Sequence, residues 1–207
     1  MIERLRIRLT LPLPGLTAQE TMTGRVLPMP EEIPASARPS AVLFLLFGEE
    51  SDLRVLLIQR TADGRAHSAQ ISAPGGRWEP ADADLRTTAL RETEEEVGIA
   101  PKDVDVLGKL TPLYIPVSNF LVHPFVGYTS VLPPLNLNTH EVDGTLEISL
   151  SRLFSARAKV TTEVRPSSAP GLVLNVPAYK LEDGSIIWGA TAMMLAELQA
   201  VMKESSS

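Results

Sequence analysis

The segment Arg91-Glu92-Thr93-Glu94-Glu95-Glu96-Val97-Gly98-Ile99 constrains this chain more than any other. Residues 83–97 read as a helix, and Gly98 is a suitable residue to end it. At about 100° per residue, Glu92, Glu95 and Glu96 share one stripe of that helix. Ala89, Leu90, Thr93 and Val97 form the neighbouring stripe, which can face a core. Arg91 flanks the acids, and Glu94 points elsewhere, into solvent. Like charges at i,i+4 cost roughly 0.2–0.5 kcal/mol per pair even when exposed. A hard divalent cation such as Mg²⁺ or Mn²⁺ prefers oxygen ligands and reverses that sign. Taken alone, a run of glutamates is more often a solvated helix face, so the surrounding chain has to decide.

Upstream stands Ala73-Pro74-Gly75-Gly76, a tight loop able to approach phosphate or backbone closely. Ala41–Phe47 and Leu53–Gln59 read as buried strands, joined by the polar turn 48–52 into a hairpin. Further strands are expected at Val104–Leu110, Leu121–Thr129, Gly144–Leu150, Leu172–Tyr179 and Ser185–Trp188, with a short helix over Ser151–Phe154. Thr191–Lys203 reads as a closing helix whose apolar side carries Met194, Leu195, Leu198, Val201 and Met202. Six prolines between Pro12 and Pro39 argue against regular structure over residues 11–39. Residues 1–39 therefore read as an N-terminal arm with one short strand or helix at Ile2–Leu11, either wrapping the domain or trailing from it. Residues 40–203 read as the domain proper and 204–207 as a tail. The element order suggests mixed α/β.

Composition removes several functions. With 207 residues, 44% of them hydrophobic, the chain can bury a sizeable core. The absence of cysteine excludes a disulfide framework, a cysteine zinc site and a thiolate nucleophile. A net charge of -6 argues against nonspecific nucleic-acid binding. The longest apolar run, Ala41–Phe47, is too short for a membrane span, and no apolar segment follows the charged start of the chain as a secretory signal would. The default expectation is a soluble cytoplasmic protein without a nucleic-acid or membrane partner.

Gly76 together with Arg91–Ile99 resembles the Nudix box, G-x5-E-x7-R-E-U-x-E-E-x-G-U with U aliphatic. Two departures stand out. One extra residue lies between Gly76 and Arg91, so that the first acid of the box falls on Ala83, with Asp82 or Asp84 as substitutes. Thr93 occupies an aliphatic position. A second segment, Leu56-Leu57-Ile58-Gln59-Arg60-Thr61 followed by Arg65 to Gly76, resembles the signature that precedes the box in coenzyme A diphosphatases, L-L-T-x-R-(S/A)-x3-R-x3-G-x3-F-P-G-G. Arg60, Arg65 and Pro74-Gly75-Gly76 fall in register, whereas Ile58, Thr61, Ala69 and Ala73 depart from it. Ile187–Ala192 is similar to that subfamily's closing segment.

The resemblance implies a Nudix-type α/β/α sandwich with a mixed sheet. It also implies hydrolysis of the diphosphate of coenzyme A or a derivative, giving 3′,5′-ADP and (acyl-)4′-phosphopantetheine. Glu92, Glu95 and Glu96 match the family's ligand positions for Mg²⁺ or Mn²⁺. Glu141 lies where relatives often place another acid beside the site, and it is equally a turn acid before a strand. Arg60 and Arg65 are candidates for phosphate contacts because guanidinium binds phosphate in a bidentate way, and Gly75 and Gly76 for close approach to it. His67 could bond a phosphate or be a packed loop histidine. Alternatives within the resemblance are hydrolysis of ADP-ribose, NADH or nucleotides, and a non-catalytic ligand sensor. Homodimers are frequent in the superfamily, and no residue here specifies one.

Overall fold

A computed structural model of the chain describes residues 1–61, 70–165, 169 and 171–205. Its centre is the hairpin of β1 (Arg38–Phe47) and β2 (Arg54–Arg60), with Leu45 opposite Leu56. β1 also pairs in parallel with β7 (Phe120–Thr129) along its full length. Around these three strands sit β3 (Ile71–Ser72) and β8 (Val142–Ser149) on β2, and β4 (Gly75–Arg77) on β1. On β7 sit β5 (Asp105–Lys109) and β6 (Leu113–Ile115). A small antiparallel sheet of β9 (Lys159–Val164), β10 (Leu174–Lys180) and β11 (Ile186–Trp188) stands beside this eight-stranded one.

Alternation along the hairpin divides the core into two layers. Ala41, Leu43, Leu45, Phe47, Leu56 and Ile58 face one side and pack with Ala89 and Val97 of helix α3 (Leu85–Val97). Phe44, Leu46, Val55 and Leu57 face the other, where helix α5 (Gly189–Ser205) lays down Met194, Leu195, Leu198 and Val201. Strands covered on both faces carry nearly continuous apolar runs, which is why β1 and β2 are legible as buried strands. The expected α/β/α sandwich with a mixed sheet is the observed one.

The proline-rich start differs from expectation. Helix α1 (Ile2–Arg8) forms, and so does a second helix, α2 (Gly15–Glu20), within the stretch read as irregular. No proline falls inside residues 15–20, and Pro14 sits at the N-cap, where its missing N–H costs nothing. Residues Arg38 and Pro39 already belong to β1, where the Pro39 carbonyl accepts from the Trp78 amide. The arm wraps rather than trails: Leu5, Leu9, Met22 and Leu27 are buried in the α5-side core. Its polar anchor is Glu197 of α5, fully buried, which accepts from the amides of Gly15 and Thr111, the Thr111 hydroxyl and Gln19 Nε2. Helix α5 runs past Lys203, and Glu204 pairs with Arg8 of the arm.

Strands β3, β4 and β6 are two or three residues long and lie among prolines or glycines, so periodicity could not reveal them. β9 carried a signal in Val160, Thr161, Thr162 and Val164, all β-branched. The short helix α4 covers Leu150–Leu153. Among the described residues, no helix is long and apolar enough to cross a membrane.

Glu197→Ala would strand several buried donors at once. We expect it to lower the unfolding free energy by about 3 kcal/mol and to open residues 10–30 to protease, measured by denaturant melts and limited proteolysis.

Candidate active site

Helix α3 is fixed at both ends before its acids are considered. Asp84 caps the start, its carboxylate accepting the Thr87 amide at 2.7 Å. Gly98 closes it in the left-handed conformation at φ 78°, its amide donating to the Glu94 carbonyl. The acid that ties the preceding loop to the helix is Asp82. It accepts from Arg91 Nε at 2.9 Å and Arg91 Nη2 at 3.0 Å, and also from the Thr88 hydroxyl and the Glu79 amide. Arg91 additionally donates to the Arg77 carbonyl. These contacts supply the link that the first box acid would make, and Ala83 is exposed. The extra residue of the box is absorbed in the irregular segment before Leu85. Thr93 is buried and donates its hydroxyl to the Ala89 carbonyl at 2.7 Å, so an aliphatic position tolerates a hydroxyl.

The acidic stripe faces the double glycine. Glu96 is 1% exposed, with one oxygen accepting from Arg60 Nη1 at 2.9 Å and the other from the Gly75 amide at 2.8 Å. Burial pushes its carboxyl up to about 7 against the opposing pull of Arg60. Glu92 lies against Gly76, where an added Cβ would fall 2.4 Å from its carboxyl carbon. Burial also raises the Glu92 carboxyl, with Arg91 opposing and Glu95 and Glu141 adding repulsion. Glu95 is the most open of the three, and one atom, Arg91 Nη1, lies 3.0 Å from both Glu92 and Glu95. Gly75 has its own constraint: a Cβ there would meet the Ala41 carbonyl at 2.3 Å.

Glu141 stands on an exposed turn just before β8, close enough to act on Glu92 electrostatically. Its carbonyl accepts the Thr61 amide, and the His140 carbonyl accepts the Thr61 hydroxyl. The turn is thereby sewn to the end of β2. Arg60 is brought to the site as the partner of Glu96, a role that strand position alone did not reveal. Arg65 and His67 lie outside the described residues.

Among the described residues, no three acidic or histidine side chains converge closely enough to enclose an ion as they stand. Each acid is instead turned to an arginine. The donor set nonetheless fits a hard divalent cation. It consists of carboxylate oxygens, two of the groups hold protons more tightly than usual, and a glycine leaves the space that a Cβ would fill.

A NUDIX domain model matches residues 37–169. This chain belongs to the Nudix family. A Nudix hydrolase NudL of Photorhabdus laumondii, itself described as uncharacterised, is 36% identical over 174 residues, which is 83% of this chain and 88% of that protein. A similarly described NudL of Yersinia pestis is 37% identical over 145 residues, covering 69% of this chain and 70% of its own. In fold, the chain is similar to the crystal structure of a MutT protein from Methanosarcina mazei, with a TM-score of 0.54 at 17% identity over 84% of this chain and all of that one. As a Nudix hydrolase it acts on a nucleoside diphosphate derivative, and enzymes of this family generally need a divalent ion such as Mg²⁺ or Mn²⁺.

Two tests follow from the geometry. Gly76→Ala displaces the Glu92 carboxylate, and we expect Mn²⁺ affinity, measured by titration calorimetry, to fall about tenfold with the fold retained. Asp82 is held well below the usual carboxylate range by Arg91. Its stabilising contribution is therefore present above its ordinary pKa of about 3.9 and is lost as pH falls through the lower folded value. Asp82→Asn should cost about 3 kcal/mol at pH 7 and should flatten the fall in stability between pH 4 and pH 2, read from denaturant melts across that range.

Proposed function

We propose that this Nudix hydrolase cleaves the diphosphate of coenzyme A or its derivatives, releasing 3′,5′-ADP and (acyl-)4′-phosphopantetheine. The observation that carries the reading is the run from Arg60 to Gly76. It is in register with the coenzyme A diphosphatase signature at Arg60, Arg65 and Pro74-Gly75-Gly76, and it ends against the acids of α3.

In this reading Glu92, Glu95 and Glu96 hold a Mg²⁺ or Mn²⁺ ion. Bound there, the ion supplies charge neutralisation at the diphosphate oxygens and a water of lowered pKa. The chain's own residues do the rest. Arg60 and the Gly75 amide fix Glu96 in one orientation. Arg91 sets the spacing of Glu92 and Glu95 while anchoring the helix to the Asp82 loop. Glu141, whose charge is felt by Glu92, is a candidate to join these acids at the site, and the proton of an attacking water goes to one of the four carboxylates. Arg65 and His67 are the nearest groups in sequence for the substrate phosphates.

The test is a panel of coenzyme A, ADP-ribose, NADH and nucleotides with Mg²⁺ and mass-resolved products. Release of 3′,5′-ADP from coenzyme A is the expected result. Hydrolysis confined to ADP-ribose, NADH or nucleotides would overturn the substrate and leave the second reading, which the departures at Ala69 and Ala73 favour. Glu95→Gln and Glu96→Gln should each lower kcat/KM by at least about a hundredfold. Unchanged turnover in both variants would remove the acids from the mechanism.

A further inference from the structure

Guanidinium chemistry points Arg60 to a phosphate, yet its side chain is found on a carboxylate, Nη1 lying 2.9 Å from Glu96 Oε1. Strand alternation puts it there. Leu56 and Ile58 face α3, and Arg60, two residues on, leaves β2 on the same face. The partner strand is irregular at this point. Gln59 pairs with Gly144 but Arg60 with Val142, so that buried Val142 rather than exposed Asp143 lies beside Arg60. The Thr61 amide then donates to the Glu141 carbonyl and closes the strand end.

The two arginines of the site are held differently. Asp82 binds Arg91 through Nε and Nη2, and the Arg77 carbonyl also accepts from Nη2, so only Nη1 is left for Glu92 and Glu95. Arg91 cannot leave without undoing the loop before α3. The Arg60 guanidinium has no such anchor. Among the described residues Glu96 is its one partner, and the side chain is 31% exposed. Glu96 itself is not released by losing Arg60, because its other oxygen accepts the Gly75 amide at 2.8 Å.

A guanidinium and a doubly charged ion repel each other when they share one carboxylate. A donor given to Glu96 is also withheld from a phosphate. We propose that Arg60 is an exchangeable counter-ion. It neutralises buried Glu96 while the site is empty, parts from it when that carboxylate holds a divalent ion, and only then turns its donors to the substrate's diphosphate. Arg91 keeps its place in both states. Arg60 is thus a positioning residue in the empty enzyme and a phosphate contact in the loaded one, and its grip on substrate depends on the ion. This rests on the assignment of Glu96 as an ion ligand above.

The experiment follows the arginine Nε–H signals of the full chain by NMR, with Mg²⁺ and with imidodiphosphate, a diphosphate whose bridge resists hydrolysis. Arg60→Lys and Arg91→Lys, which keep the charge at each position, identify the two signals. Mg²⁺ should move the Arg60 signal and leave that of Arg91. Imidodiphosphate alone should leave the Arg60 signal where it is, and should shift it further once Mg²⁺ is present. In calorimetry at saturating Mg²⁺, Arg60→Gln should weaken imidodiphosphate binding about tenfold. An Arg60 signal indifferent to saturating Mg²⁺, or one that responds to imidodiphosphate equally with and without the ion, overturns the exchange and leaves the ligand assignment standing. Unchanged Mg²⁺ affinity in Glu96→Gln overturns the ligand assignment, and the exchange with it.

Discussion

A carboxylate buried to 1% exposure must find positive charge and donors, or give up its own charge. Glu96 finds Arg60 from the end of β2 and the Gly75 amide from the start of β4. That one group therefore joins the helix, the hairpin and the glycine turn, three pieces far apart in sequence. The glycines are needed because Gly75 presses on the Ala41 carbonyl and Gly76 on Glu92. The geometry of the site is a consequence of accommodating a buried charge at a crowded junction of strand and helix.

The same physics recurs twice. Asp82, also buried, holds Arg91, and Arg91 in turn spans Glu92 and Glu95, so the loop before α3 and the acidic face of α3 share one cation. On the far side of the sheet, fully buried Glu197 gathers donors from Gly15, Gln19 and Thr111. There the donors are neutral and belong to the arm and the β5–β6 connection, so the result is adhesion of the arm. Buried acids thus organise both faces, with arginine where the site is and with amides and a hydroxyl where only structure is at stake.

Much of this was legible in the chain. Continuous apolar runs marked β1 and β2, and the 3.6-residue period with Gly98 marked α3. The spacing of Glu92, Glu95 and Glu96 identified the stripe. What escaped depends on partners far away in sequence. The pairing of Arg60 with Glu96 requires knowing that β2 ends beside α3. The choice of Asp82 over Asp84 turns on which carboxylate can reach Arg91, and spacing alone could not decide that. Helix α2 is hidden by the proline density of its neighbours, although residues 15–20 hold no proline and bury Ala18 and Gln19 against α5. The short strands escaped because two or three residues carry no period.

The competing account of the acidic stripe, a solvated helix face, fails on a gradient. Exposure of the side chains falls from 55% at Glu95 to 14% at Glu92 and 1% at Glu96, so only one of the three faces water freely. All three also lie in the second half of α3, toward the negative end of the helix dipole, where carboxylates are disfavoured. Burial, mutual repulsion and the dipole act in the same direction on Glu92 and Glu96. A face serving solubility alone would shed these costs by turning outward or by substituting glutamine. Keeping them requires compensating positive charge, and the two arginines provide it while both remain anchored elsewhere, Arg91 on Asp82 and Arg60 at its strand end. A small, doubly charged ion can draw several such oxygens to one point, which a guanidinium bound at its own strand or loop cannot do.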